Sequence, residues 1–111
     1  MIDWDSVAQL RDDVGPEPFD EVVALFFEEV DEVIARLKAE KHHAGLSDDL
    51  HFLKGSALNL GFVEFAEQCR SDGQRISRKG PDAVDLVALI DCYVRSREKF
   101  LFALGRRAEA R

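Results

Sequence analysis

Proline and cysteine are few in this chain of 111 residues and cationic side chains are outnumbered by acidic ones, and each of these removes a class of protein from consideration. Three prolines leave room for long uninterrupted helices, since a proline inside a helix costs about 3 kcal/mol. Two cysteines, Cys69 and Cys92, are too few for a disulfide scaffold and lack C-x-x-C spacing, so they read as reduced, packed thiols. Fifteen lysines and arginines face 22 aspartates and glutamates, a formal charge of −7 and a pI near 4.9. That balance argues against nucleic acid as a partner, because such binding rests on cationic contacts with phosphates. No apolar run approaches the ~20 residues of a membrane span, and Met1-Ile2-Asp3-Trp4-Asp5 lacks the basic start and apolar core of a signal peptide. A cytoplasmic protein without a membrane partner is expected.

What is present is amphipathic periodicity. The hydrophobic content of 46% suits one domain with one core, and no internal repeat appears. Asp5 or Ser6 can cap a short helix over about 5–13, ended by Gly15-Pro16. A long helix over about 18–41 carries an apolar stripe from Phe19 through Val22, Val23, Phe26, Val30, Val33 and Ile34 to Leu37. Further helices are expected over about 46–59, 62–78 and 81–106. The first of these points Leu46, Leu50, Leu53, Ala57 and Leu60 inward, and Gly61 reads as its left-handed stop. The second holds Gly73 at a close-packing point or local weakness. Short loops make neighbouring helices antiparallel. The fold class is therefore all-α, an antiparallel up-down four-helix bundle with a short additional N-terminal helix.

The most informative segment is His51-Phe52-Leu53-Lys54-Gly55-Ser56-Ala57-Leu58-Asn59-Leu60-Gly61. Residues three and four apart are neighbours on a helix, so the imidazole of His51 has the ammonium of Lys54 beside it and bare backbone at Gly55. A glycine inside a helix costs about 0.5–1 kcal/mol relative to alanine, which close approach of a partner would justify. A histidine, unperturbed near pH 6.5, keeps a large neutral and nucleophilic fraction at physiological pH. Lysine is a flexible point charge able to meet phosphate oxygens. Together these describe a docking site for a phosphorylated partner.

The same residues resemble the signature of histidine phosphotransfer domains, the helical carriers of two-component phosphorelays: His-x-Leu-Lys-Gly-Ser-Ser/Ala-x-x-Leu/Val-Gly. His51, Leu53, Lys54, Gly55, Ser56, Ala57, Leu60 and Gly61 fit it. The resemblance implies that His51 is the phosphoacceptor, Lys54 the phosphate-side cation and Gly55 the clearance for a receiver domain. Members often carry a glutamine on the next helix that holds the other ring nitrogen. Ungapped counting from His51 puts that place on Gly73, with Gln74 beside it as the ring-orienting candidate, and Phe62 stands where a smaller residue is usual. Trp4, Val7, Leu25, Phe27, Ser47 and Leu58 are candidates for the docking face, as small apolar centres within polar rims are usual in such contacts.

The resemblance also implies partners: response-regulator receiver domains and a sensor histidine kinase, hybrid or separate. No cofactor is expected on this chain, Mg²⁺ being expected on the receiver. No glycine-rich nucleotide loop is present, so a phosphocarrier without autonomous kinase activity is expected. His42 and His43 do not suggest a metal site, because adjacent helical residues point about 100° apart and nothing completes the shell. Asp48-Asp49 reads as a surface charge pair. A monomer is expected. Two alternatives share these features: a phosphoacceptor module labelled in trans by a chemotaxis-type histidine kinase, and a helical binding module that is never phosphorylated.

Overall fold

Gly15 and Pro16 make the first corner. A computed structural model describes residues 2–109, with side chains described as far as Gly105. Helix α1 spans Trp4–Val14, and its cap is Asp3, whose carboxylate accepts from the Ser6 backbone at 3.3 Å and from the Ser6 hydroxyl at 2.7 Å. Gly15 adopts φ +92°, a region open to glycine, and Pro16 follows at the first turn of α2, Pro16–Glu40, where its missing N–H costs nothing. Helix α3 is Leu46–Asn59 and α4 is Val63–Lys79. Their corner is a Schellman stop: the Phe62 N–H donates to Ala57 O at 2.8 Å and the Gly61 N–H to Leu58 O at 3.3 Å, with Gly61 at φ +76°.

The last helix starts later than its sequence suggests. Residues Pro81–Ala83 form a single 3₁₀ turn, Val84 is extended and buried, and α5 is Leu86–Glu109. Asp85 explains the shift, since its side chain accepts from the Ala88 N–H at 3.1 Å and so caps a helix that begins after it.

The four long helices close into a square. The stripes of α2 and α3 meet α4 in a core that includes Val30, Leu37, Leu46, Leu53, Ala57 and Phe65. Tyr93 of α5 donates its hydroxyl to Asp31 of α2 at 2.6 Å, and Phe100 meets Phe27 at a ring separation of 6.0 Å. Helix α5 thus packs on α4 and α2, and α3 lies diagonally across from it. Phe62, fully buried, fills the centre of an aromatic cluster with Phe26, Phe27 and Phe100, which is why the α3 to α4 corner accommodates so large a residue. The fold is all-α, a bundle with one extra N-terminal helix. No helix among the described residues is long and apolar enough to cross a membrane.

Cys69 and Cys92 are free and buried, and burial pushes the Cys69 thiol well above its ordinary value. Gly73 is not a close-packing point: a Cβ there would meet nothing within 4 Å.

Candidate functional site

Leu46, Leu50, Leu53 and Ala57 anchor one side of α3 in the core, and this fixes what the other side shows. His51 lies about 100° round from Leu50 and is exposed, with Gly55 exposed one turn on and Ser47 exposed one turn before. Among the described residues nothing hydrogen-bonds to the His51 ring. A Cβ built at Gly55 would meet nothing within 4 Å. The imidazole therefore borders open space on its own helix.

Lys54 stands half-buried at the edge of α3 that borders α4. Across from it, Glu67 accepts from Nε and Nη2 of the Arg70 guanidinium. The Arg70 hydrogen bond, followed by the charges of Arg70 and Lys54, holds the Glu67 carboxyl below its usual range. Lys54 is thus close enough to feel Glu67, while Arg70 takes up that carboxylate. Among the described residues Lys54 forms no ion pair, and its ammonium remains available to an incoming anion beside His51.

The start of α3 is held by a polar cluster around a buried carboxylate that the sequence did not suggest. Asp49 is buried, not part of a surface charge pair, and it bonds Arg36 of α2 and His43 Nε2, the latter at 2.9 Å. The Gly45 N–H donates to His43 Nδ1 at 3.0 Å, which leaves Nε2 as the protonated nitrogen that donates to Asp49. His42 Nε2 meets the Val84 carbonyl at 2.9 Å. Both loop histidines therefore brace the turn that aims α3. His42 depends on a residue 42 positions away, and His43 on the turn that folds it back onto Gly45 and Asp49, so helical spacing carries no sign of either role.

The docking candidates divide. Leu25 of α2 and Leu58, two turns on from His51 along α3, are exposed at 53% and 51%. Leu25 borders a groove of about 190 Å³ between α1, α2 and α3, lined also by Leu10, Val22, Ser56 and Asn59. Two exposed apolar residues stand outside the sequence expectation: Val22, on the α2 stripe, lines this groove, and Phe52 adjoins His51 and falls off the α3 core face. Val7, by contrast, is a core residue and presents no docking surface. Trp4 is half-buried, stacked on Phe100 at 5.4 Å and 7°. Phe27 is half-buried in the aromatic cluster towards α5, with Arg97 over its ring at 5.2 Å. Gln74 is exposed and makes no hydrogen bond to His51.

Bundle and surface together define a helical carrier, with one open imidazole on an outer face and a cation at its side. The family model described as Hpt domain matches residues 21–97, well over half the chain, and the protein belongs to that family. Neither a curated protein nor a solved structure matches the chain. Hpt domains perform histidine phosphotransfer in two-component signalling as phosphocarriers without kinase activity, and interact with receiver domains and histidine kinases.

Proposed function

We propose that His51 is the phosphoacceptor of a phosphorelay intermediate, taking a phosphoryl group from the aspartyl phosphate of one receiver domain and passing it to the aspartate of another. The observation that carries this reading is Gly55. It occupies a helix interior where alanine would be more stable, and nothing beyond the helix's own backbone lies within 4 Å of where a Cβ would sit. The clearance serves something from outside, and it lies one turn from an exposed imidazole.

In the forward step the lone pair of the outward ring nitrogen attacks phosphorus in line with the acyl oxygen. A nitrogen–phosphorus bond forms, the bond from phosphorus to the acyl oxygen breaks, and the electron pair leaves with the aspartate carboxylate. The proton on the other ring nitrogen stays in place, and the reverse sequence unloads the group onto the second receiver. Positioning and charge neutralisation carry most of such a transfer. Lys54 contributes positive charge on this chain, and the receiver supplies its own acidic pocket and Mg²⁺. The apolar groove beside Leu25 and Ser56, together with Phe52 and Leu58, provides the docking contacts.

The test is incubation with a phosphorylated receiver, mapping of acid-labile phosphate, and the same experiment on His51→Gln. Wild-type protein should be labelled at His51, and the variant should carry no label while keeping its helical spectrum. Label surviving in His51→Gln removes the assignment. Replacing the receiver by a kinase catalytic domain with ATP identifies the donor, and efficient labelling only in that arm favours the chemotaxis-type arrangement.

A further inference from the structure

Helix α4 brings a second cation to the level of His51. Helices α3 and α4 run antiparallel from the corner where the Phe62 N–H donates to Ala57 O, α3 ending at Asn59 and α4 starting at Val63. Eight residues back from Asn59 is His51 and eight on from Val63 is Ser71, so Arg70 stands within one residue, about 1.5 Å of rise, of the imidazole's level. Its direction round α4 follows from Glu64, which meets Arg95 of α5 at 3.9 Å. Six residues on, about 240° round the helix, Arg70 lies on the flank away from α5, the one that borders α3. Gly73 occupies the next turn of that flank, and a Cβ there would meet nothing within 4 Å. Arg70 is exposed and donates to Glu67 through Nε at 2.9 Å and through Nη2, while Lys54 acts on the same carboxylate. One anion thus serves two cations, one on each of the helices that flank the imidazole.

We propose that Arg70 is a second phosphoryl-binding cation, held on Glu67 while His51 is unloaded and drawn to the phosphoryl oxygens once His51 carries the group. The inference rests on the reading of His51 as the phosphoacceptor and adds a residue from the neighbouring helix to it. A phosphoryl group offers three strong acceptor oxygens and more negative charge than a carboxylate, and a guanidinium fork meets two such oxygens at once. Arg70 and Glu67 are both exposed, and pairs of that kind contribute little to stability, so the exchange of partners costs the fold little. The open space at Gly73 gives the guanidinium room to swing towards α3. No glutamine side chain stands at that place to hold the ring, and the cation one turn before it takes the phosphoryl side instead.

Phosphoramidate tests this without any receiver, since it passes its phosphoryl group to an imidazole nitrogen and releases ammonia. The full chain loaded at His51 should show the Arg70 Nε–H resonance displaced from its unloaded position, and His51→Gln treated alike should not. Phosphorus NMR then reads the titration of the phosphoryl group itself. In a Glu67→Gln background, where no orphaned carboxylate contributes, adding Arg70→Ala should raise the phosphoryl pKa by about 1, because a nearby cation favours the charged form. Arg70→Lys in the same background should restore part of the difference, its point charge lacking the fork. An Arg70 resonance unmoved by loading, or a phosphoryl titration identical with and without Arg70, overturns the inference. Labelling of His51 by a receiver would stand in that case, whereas failure of receivers to label His51 removes the earlier reading whatever Arg70 does.

Discussion

Two glycines six residues apart stand in opposite circumstances. At Gly61 the backbone has φ +76°, and an added Cβ would fall 2.6 Å from Asp3 O, part of the strand of chain that enters α1. The Asp3 N–H donates back to Gly61 O at 2.7 Å, so α1 is strapped to this corner by backbone alone. Gly55 has ordinary helical geometry and nothing within 4 Å of where its side chain would be. The fold demands glycine at the first position and is indifferent or averse to it at the second. One residue type thus reports on folding at the corner and on an external partner at mid-helix.

Substitution at Gly55 should therefore separate function from stability. Gly55→Leu puts an apolar branch into the space beside His51 and is expected to slow transfer from a phosphorylated receiver about a hundredfold, the scale of a misplacement of about 1 Å. The same variant should unfold about 0.5–1 kcal/mol later than wild type, because leucine is the better helix former. Stopped-flow transfer and urea titration read the two effects independently. Unchanged transfer in Gly55→Leu would erase the contrast with Gly61.

The corner should behave the other way. Gly61→Ala forces a Cβ into both a left-handed conformation and the Asp3 carbonyl, at a cost of about 2–3 kcal/mol. Its midpoint in urea should fall accordingly, while transfer measured under native conditions should slow far less than in Gly55→Leu, since α1 reaches the docking surface only through Leu10 on the wall of the groove and His51 and Lys54 keep their places on α3.

Much of this contrast was legible in the amino-acid order, and the parts that were not have physical causes. The α3 stripe could be read because its apolar residues recur strictly at three and four, which places His51 off the core whatever the neighbouring helices do. Gly61 could be read as a stop from its place after the last periodic leucine. Val7 was misplaced because a three-residue period on a short helix does not say which side is covered, and the Asp3 strap to Gly61 decides that. Asp49 departs from the surface reading for a related reason: its partners, Arg36 and His43, are brought beside it only by the α2 to α3 turn. The late start of α5 depended on Asp85 outcompeting Pro81 as a helix opener, a choice settled by the burial of Val84.

Lys54 sharpens the comparison at the next scale. Its ammonium is left unpaired because Arg70 takes Glu67, so Lys54→Ala should remove one charge-assisted contact to the phosphoryl oxygens and slow transfer about tenfold, ~1.4 kcal/mol of barrier. Stability should change little, as the fold draws no ion pair from this residue. A rate unaltered by Lys54→Ala in both low and moderate salt would assign the phosphate-side charge wholly to the receiver.

The smallest effect belongs to a polar group with no path to the site. Asp72 of α4 is fully buried, accepts one bond from Gln68 at 3.1 Å, and leaves its other carboxylate oxygen without a partner. Burial raises its pKa above the ordinary carboxylate value. A raised folded-state value means that its contribution to stability is fullest at acid pH and is lost as pH rises through that value. Asp72→Asn removes the buried charge, so at pH 7 the variant should be more stable, by on the order of 1 kcal/mol. The two proteins should converge as the pH is lowered and the wild-type carboxyl takes up its proton. Transfer from a receiver should be unchanged at both pH values, because Asp72 faces the interior while His51 faces out. If Asp72→Asn altered the transfer rate while leaving the pH profile of unfolding flat, interior and surface would be coupled, and the division drawn between Gly61 and Gly55 would fail with it.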